Sequence, residues 1–508
     1  MRPKILRVIL LFQTGSAFCQ VSLEKIALKN GDYNVGFYHY TASDSTRTYK
    51  RIFNWNNQSI PRQIPVSVWY PSNERSNGFR KMVVLDYMEI LKEEEEWEYL
   101  PNEQILNWFY YPNTPANRKH LEEQTSAFRK IQSADGKFPA IVYAPSYQAS
   151  SIENFILCEY LASHGYIVIS CASRGTENRF LEGGTEKDLE TQTRDIEYLI
   201  NEVSRIPNID FEQIATMGFS FGGLSNVLAQ MRNEKIKAIV SLDGSIRYQY
   251  TTLQKSPFAN TNKVNVPFIH MAQKNIPEQV LKDDKIDAGL NHKFEFYDSL
   301  KYSKAYSLKF HNLTHSYFST LGILFQQRDN RQDKTDLEIM ESYRWVSVYT
   351  LNFLNAYLKN DLHALSFLKD NPENNGLKSG LISLRTKEPE SKPFSFQDFN
   401  ELAAKQEYFE IEKLYYSLIE KYPSFKLPEG NLNNLGLQLV FNPKTSSKGI
   451  NVFLFATTIY PESSNLFDSL AEAYLFTGER KRAIENFKKS LELNAQNQNA
   501  IDRLNELE

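Results

Sequence analysis

The chain reads as an α/β domain built on a mostly parallel sheet with an antiparallel start, followed by an all-α helical-repeat domain. Three patterns predict this. From about residue 138, apolar strand-like runs alternate with helical periods. Before them lies a β-branched, aromatic stretch. Within the last 45 or so residues, apolar positions recur at the spacing of a helix–turn–helix repeat of about 34 residues.

The N-terminus comes first. Arg2, Lys4 and Arg7 form a basic start, Val8–Phe12 an apolar run, and Ser16–Gln20 a small-residue end. Residues 1–20 therefore read as an export leader cleaved before Gln20, with Ala17 and Cys19 at the −3 and −1 positions. Phe18 is bulky where a lipidated cysteine needs a small neighbour, which argues against a lipid anchor at Cys19. The expected location is periplasmic, cell-envelope or extracellular. Cys158 and Cys171 are then the remaining thiols, too few for a disulfide framework, and both sit in apolar runs.

Residues 21–369 are expected to form the α/β domain. Residues 31–72 open it as antiparallel β, with Ile64–Tyr70 the clearest strand. Residues 85–132 carry Trp97, Trp108, Phe109, Tyr110 and Tyr111 and read as a helical insertion broken at Pro101, Pro112 and Pro115. This insertion is either a lid over a pocket or a packed appendage. Its acidic run Glu93–Glu96 reads as a solvated helix face. The alternating part follows. Strands are expected at Phe138–Ala144, Tyr166–Ser170, Gln213–Met217, Ala238–Leu242, Pro267–Ala272 and Ala305–Phe310. Helices are expected at Ile152–Ser163, 187–204, Gly222–Met231 and about 336–359. Such alternation implies right-handed crossovers and a parallel sheet.

Residues 370–398 are polar, with Pro and Gly and no apolar period, and read as a linker. In 399–508, Phe467, Leu470, Ala471, Tyr474, Ala483, Phe487 and Ala495 fall at the packing positions of a tetratricopeptide-like repeat, with Gly478 in the turn. Leu435, Gly436, Phe453, Ala456 and Pro461 form a weaker upstream copy. A helical bundle would produce a similar pattern.

Charge narrows the function classes. With 58 basic against 61 acidic residues and a net charge of −3, the chain has no electrostatic footprint for nucleic acid. No stretch reaches the 18 or so apolar residues of a membrane span.

The sharpest local feature is Gly218-Phe219-Ser220-Phe221-Gly222, directly after a strand and directly before a helix. A nucleophile at such a turn takes strained backbone angles, and its flanks must be small. The following helix places its positive dipole end beneath the hydroxyl. Ser220 also needs a base, and the base an orienting carboxylate. Among the downstream histidines, His270 lies inside an apolar strand and reads as a satisfied core residue, and His292 lies in a polar loop. His315 follows the strand Ala305–Phe310 at the carboxyl edge, with His311 its rival. The acid is Asp243, at the end of Ala238–Leu242, ahead of the more distant Glu278, Asp283 and Asp284. A turn-capping role is the alternative for Asp243. No third ligand accompanies His311 and His315, so no metal site is expected.

Phe138–Pro145 (F-P-A-I-V-Y-A-P), Glu159–Val168, Gly218–Gly223 (G-F-S-F-G-G), Leu242–Gly244 and Thr314-His315 together resemble the α/β-hydrolase superfamily. Within it they look most like the platelet-activating-factor acetylhydrolase and dienelactone-hydrolase-like branches. The resemblance spans about residues 30–365 and implies Ser220 as nucleophile, Asp243 as acid and His315 as base. Dienelactone hydrolases use cysteine as nucleophile, so their reaction is not implied. The usual His-Gly loop is replaced by Ala144-Pro145-Ser146-Tyr147. The backbone N–H of Tyr147 would join that of Phe221 as the oxyanion donors. The expected activity is hydrolysis of a small-molecule ester through an acyl-enzyme, without a metal or organic cofactor. Two alternatives stand beside it: a secreted scaffold with a vestigial hydrolase domain, and a serine peptidase on the same fold. The repeat tail would serve a protein partner or self-association.

Overall fold

A computed structural model describes residues 21–52, 58–74, 78–283, 285–327 and 331–507. The expected leader lies outside the described residues. The chain divides into two compact units, residues 1–390 and 391–508.

The first unit is built on one mixed sheet. Its strands are β1 (Asn34–Tyr49), β2 (Ile60–Ser72), β3 (Lys81–Val83), β4 (Gln124–Arg129), β5 (Phe138–Ala144), β6 (Ile167–Cys171), β7 (Ile209–Phe219), β8 (Ile236–Leu242), β9 (Phe268–Ala272), β10 (Ala305–Phe310) and β11 (Ile382–Lys387). They lie in the order β11-β10-β9-β8-β7-β5-β6-β2-β1-β4-β3. The run from β6 through β5, β7, β8 and β9 to β10 is parallel. The β1–β2 hairpin joins it antiparallel through β6. Period-two alternation sends neighbouring side chains to opposite faces. Ile141 and Tyr143 of β5 enter one core, with the helices Phe155–Ser163 and Asp336–Leu358. Ala140, Val142 and Ala144 enter the other, with Glu186–Glu202 and Phe221–Arg232. Cys158 and Cys171 are buried free thiols.

Three expectations change. The polar segment 370–398 is not simply a linker, because β11 pairs antiparallel with β10 from Ile382–Phe310 to Lys387–Ala305. An edge strand has one strand partner, so Ile382 and Leu384 suffice to seat it on one face, while on the other Arg385 is exposed and Lys387, half-buried, donates to Asp298 O at 2.8 Å. Second, the insertion is helical only in part. It contains Val84–Glu94, Ile105–Trp108 and Pro115–Leu121, then ends in β4, which pairs parallel with β1. Pro115 opens a helix rather than breaking one, since its missing N–H falls in the first turn. Thr114 caps that helix, its Oγ1 accepting from the Asn117 N–H at 3.1 Å.

Third, the acidic run is not a solvated face. Glu94 and Glu96 are buried. Glu94 accepts from Ser151 N–H at 3.0 Å and from the Ser150 and Ser151 hydroxyls. Burial raises its carboxyl to about 7 against those bonds. Glu96 accepts from Tyr49 Oη, and Glu95 pairs with Arg179 at 2.6 Å. The insertion is thus pinned to the sheet by its acids. Tyr87 of its first helix stacks on Phe155 at 4.4 Å and donates to the buried Glu159. No described helix is long and apolar enough to cross a membrane.

The second unit consists, among its described residues, of the helices Phe396–Lys405, Ile411–Lys421, Glu429–Val440, Ser446–Ile459, Ser464–Phe476, Arg480–Leu493 and Gln498–Leu507. Leu470, Ala471, Tyr474, Ala483 and Phe487 are buried in its core. Ala495 lies beyond the end of Arg480–Leu493 and is exposed. Gly478 turns the chain at φ +83°. Gly436 lets the Phe453 ring approach so closely that a Cβ there would lie 2.6 Å from it.

Candidate functional site

The end of β7 runs into the helix Phe221–Arg232 with a single residue, Ser220, between them. Ser220 has φ +52° and ψ −118°, a strained conformation for a residue with a Cβ. Its N–H donates to Leu242 O at 3.1 Å, and its carbonyl accepts from Ser245 N–H at 2.7 Å. The bend is possible because its flanks are glycines. A Cβ at Gly222 would lie 2.0 Å from Ala144 O, and one at Gly223 2.6 Å from Gly244 Cα. The first of these contacts also seats the loop after β5 directly against the bend.

Asp243 leaves the end of β8 at φ +38° and is fully buried. His315 opens the 3₁₀ turn His315–Phe318 after β10. The structure brings these residues together. His315 Nε2 lies 2.9 Å from Ser220 Oγ, and its Nδ1 lies 2.6 Å from Asp243 Oδ2. The other carboxylate oxygen accepts from Gln273 N–H at 3.0 Å and from Tyr248 Oη at 3.3 Å. Burial works against the Asp243 charge, but the His315 contact and the Gln273 N–H hold its carboxyl below the ordinary range.

Of the expected oxyanion donors, Phe221 occupies the first position of the helix and Tyr147 lines the cavity at Ser220. Their rings meet edge-on at 5.9 Å. The rejected rival His311 turns elsewhere and meets Ser383 Oγ at 2.7 Å. His270 is buried as expected, but its Nε2 has no partner.

The sequence reasoning missed several supporting residues. Gln273 holds the acid through its N–H and accepts from His315 N–H at 3.1 Å through its side-chain oxygen. Its amide nitrogen donates to Tyr248 Oη at 2.9 Å. Glu153 accepts from Ser146 N–H at 2.8 Å and from Ser146 Oγ at 2.5 Å, fixing the residue before Tyr147. Burial raises the Glu153 carboxyl above its ordinary value despite these bonds. Gln192 ties the same loop to the helix Phe221–Arg232, donating to Pro145 O at 2.9 Å and accepting from Ser225 Oγ at 2.6 Å. Gln273 and Gln192 lie far in sequence from the residues they orient, and Glu153 is seven residues from Ser146 with no motif to mark it, so only the position of Gln273 at the end of a strand could have signalled its role.

Above Ser220 lies a cavity of about 300 Å³, walled by Tyr111, Tyr147, Phe219, Leu321 and Gln326. Tyr111 belongs to the insertion, which therefore packs into the core and also supplies one wall of the cavity. A second cavity of about 260 Å³ adjoins His315 and is lined by Tyr248, Ile276, Pro277, Val280 and Ile286. Among the described residues, no group of three or more His, Cys, Asp or Glu could hold a metal ion.

Residues 129–379 match a family model described as PETase, PET hydrolase-like. No curated protein matches the chain. Among solved structures, a ferulic acid esterase from Streptomyces cinnamoneus aligns with a TM-score of 0.47 and 15% identity, over 72% of this chain and 99% of that one. The open, mostly parallel sheet with helices on both faces, followed by an all-helical region, is an α/β-hydrolase fold with a C-terminal helical unit.

Proposed function

We propose that this chain is a serine hydrolase of carboxylic esters. The observation that carries the reading is an unbroken line of contacts, Asp243 to His315 at 2.6 Å and His315 to Ser220 at 2.9 Å, ending on a strained serine. The PET hydrolase-like match over residues 129–379 supports ester hydrolysis independently of that geometry.

His315 takes the Ser220 proton as Oγ attacks the ester carbonyl, and Asp243 stabilises the imidazolium that results. The oxyanion accepts from the N–H groups of Phe221 and Tyr147. Removing one such donor costs about 3 kcal/mol in comparable sites. His315 then protonates the leaving alcohol, and water attacks the acyl-enzyme by the same route in reverse. The cavities of about 300 and 260 Å³, both lined by His315, suit the two halves of a small ester. In this proposal residues 1–20 direct export, and the helices of 399–508 form a tetratricopeptide-like unit for a protein partner or self-association.

Ser220→Ala should abolish turnover of a short p-nitrophenyl ester and labelling by a fluorophosphonate, with an unchanged circular dichroism spectrum. Turnover retained in that variant would refute the assignment.

A further inference from the structure

The three histidines that the proposed reaction leaves unused after Ser220 in the sheet region, His270, His292 and His311, all line one cavity of about 200 Å³. It shares no lining residue with the cavity above Ser220 and only Asn275 with the one beside His315. Register explains how it is built. On β9, β10 and β11, His270 lies opposite Ser307, which lies opposite Arg385; Ala272 lies opposite Lys309, which lies opposite Ser383. Residues directly opposite one another share a face of the sheet. One face of three adjacent strands thus presents an imidazole, an ammonium, a guanidinium and two hydroxyls. Arg247, from the turn after β8, and Lys293, from the loop ahead of the helix Glu295–Ser299, complete the walls.

The charge of this cavity is one-sided. Arg247, Lys293, Lys309 and Arg385 contribute two guanidinium and two ammonium groups, and no carboxylate is among its described lining residues. Asp298, at the rim, accepts from Arg385 at 3.2 Å. Lys309 donates to neutral oxygens, Asn275 Oδ1 at 2.7 Å and Asn291 O at 2.9 Å, and Arg247 donates to the Leu290 carbonyl. Burial lowers the Lys309 ammonium from its ordinary range, and Arg247 and Arg385 lower it further. His270 adds an independent observation. It is fully buried, its Nδ1 meets Ser241 Oγ at 2.9 Å, and its Nε2 has no partner. Burial pushes the ring down to about 3, so it is neutral. In the tautomer that carries its proton on Nε2, with Nδ1 accepting from the Ser241 hydroxyl, the ring offers an N–H to an acceptor in the cavity. Buried polar atoms are rarely left unmatched, and clustered cations repel one another unless an anion lies among them.

We infer that this cavity is a second binding site, which takes a compact oxyanion of the phosphate class, either free or as the head of a small organic phosphate. Guanidinium forks and an ammonium converging with neutral N–H and O–H donors are the groups that recognise such an ion. A dianion answers four cations better than a single carboxylate does. The inference does not depend on Ser220 being a nucleophile.

The test is isothermal titration of the full chain with inorganic phosphate, phenyl phosphate and benzoate at two salt concentrations. Saturable binding of inorganic or phenyl phosphate is expected, weaker at high salt. The tighter of the two identifies a free ion or an organic head group. Arg385→Gln, at a side chain 53% exposed on an edge strand, should weaken it several-fold, and Lys309→Met with Arg385→Gln at least tenfold. Turnover of a neutral p-nitrophenyl ester should be unchanged in Arg385→Gln, which also reports that the variant is folded. Absence of saturable phosphate binding, equal binding of benzoate, or unchanged binding in Arg385→Gln would each overturn the site.

Discussion

At the scale of single residues, the candidate site depends on holding one imidazole in one orientation. Asp243 accepts from His315 Nδ1, so Nε2 faces the Ser220 hydroxyl as a hydrogen-bond acceptor. Asparagine at 243 could keep the shape yet present an N–H to Nδ1 and favour the wrong tautomer. Asp243→Asn should therefore lower kcat by about 10⁴-fold with little change in KM, measured on a short ester. The same carboxylate has a stability signature. Its folded-state pKa lies below the ordinary value of 3.8. Its ionised form consequently favours the fold above that value, and the contribution is lost as pH falls through the folded-state pKa. The stability gap between the parent and Asp243→Asn, read from urea unfolding, should narrow below about pH 4. Gln273 acts through these groups rather than on substrate. Gln273→Leu removes the acceptor of the His315 N–H and the donor to Tyr248. It should lower kcat about 10-fold to 100-fold, in line with loosened positioning. It should also displace the acidic limb of the kcat/KM profile, which a purely structural loss would leave in place.

At the scale of elements, the turn at Ser220 is legible in sequence because its requirements are local. Gly218, Gly222 and Gly223 stand where backbone meets backbone, and a strand and a helix flank them. Gly222→Ala places a Cβ 2.0 Å from Ala144 O, a backbone atom that cannot step aside without moving β5. Hydrolysis should fall by at least about 100-fold and the first unit should lose about 1–3 kcal/mol, measured by thermal unfolding alongside activity. The parallel strands were legible for a similar reason, since Phe138–Ala144 and Ala238–Leu242 are apolar runs buried on both faces. What escaped were elements defined by a partner rather than by their own residues. β11 has a mixed, polar sequence and becomes a strand because β10 offers it an open edge. Glu94 and Glu96 look solvated as text and are buried because Ser150, Ser151 and Tyr49 supply donors from distant segments. His270 showed its burial through its apolar neighbours. Its unmatched Nε2 could emerge only when β9, β10 and β11 were set in register.

At the scale of the whole molecule, the chain comprises two compact units with separate cores. The second owes its packing to glycines where helices touch. A Cβ at Gly449, in Ser446–Ile459, would lie 2.7 Å from Val440 N and 2.8 Å from Gly436 O. Both atoms are backbone, so the helix Glu429–Val440 must be displaced to admit a larger residue. Forcing methylenes into a packed contact costs about 1–3 kcal/mol, which corresponds to faster amide exchange by about 5- to 150-fold if opening is local. Gly449→Leu should therefore speed hydrogen exchange in peptides covering 429–459. The slow amides of β5, β7 and β8 should keep their rates, and turnover of a short ester should be unaltered. If the exchange of those central strands rose in parallel, the two units would unfold as one, and their cores would have to be treated as a single cooperative structure.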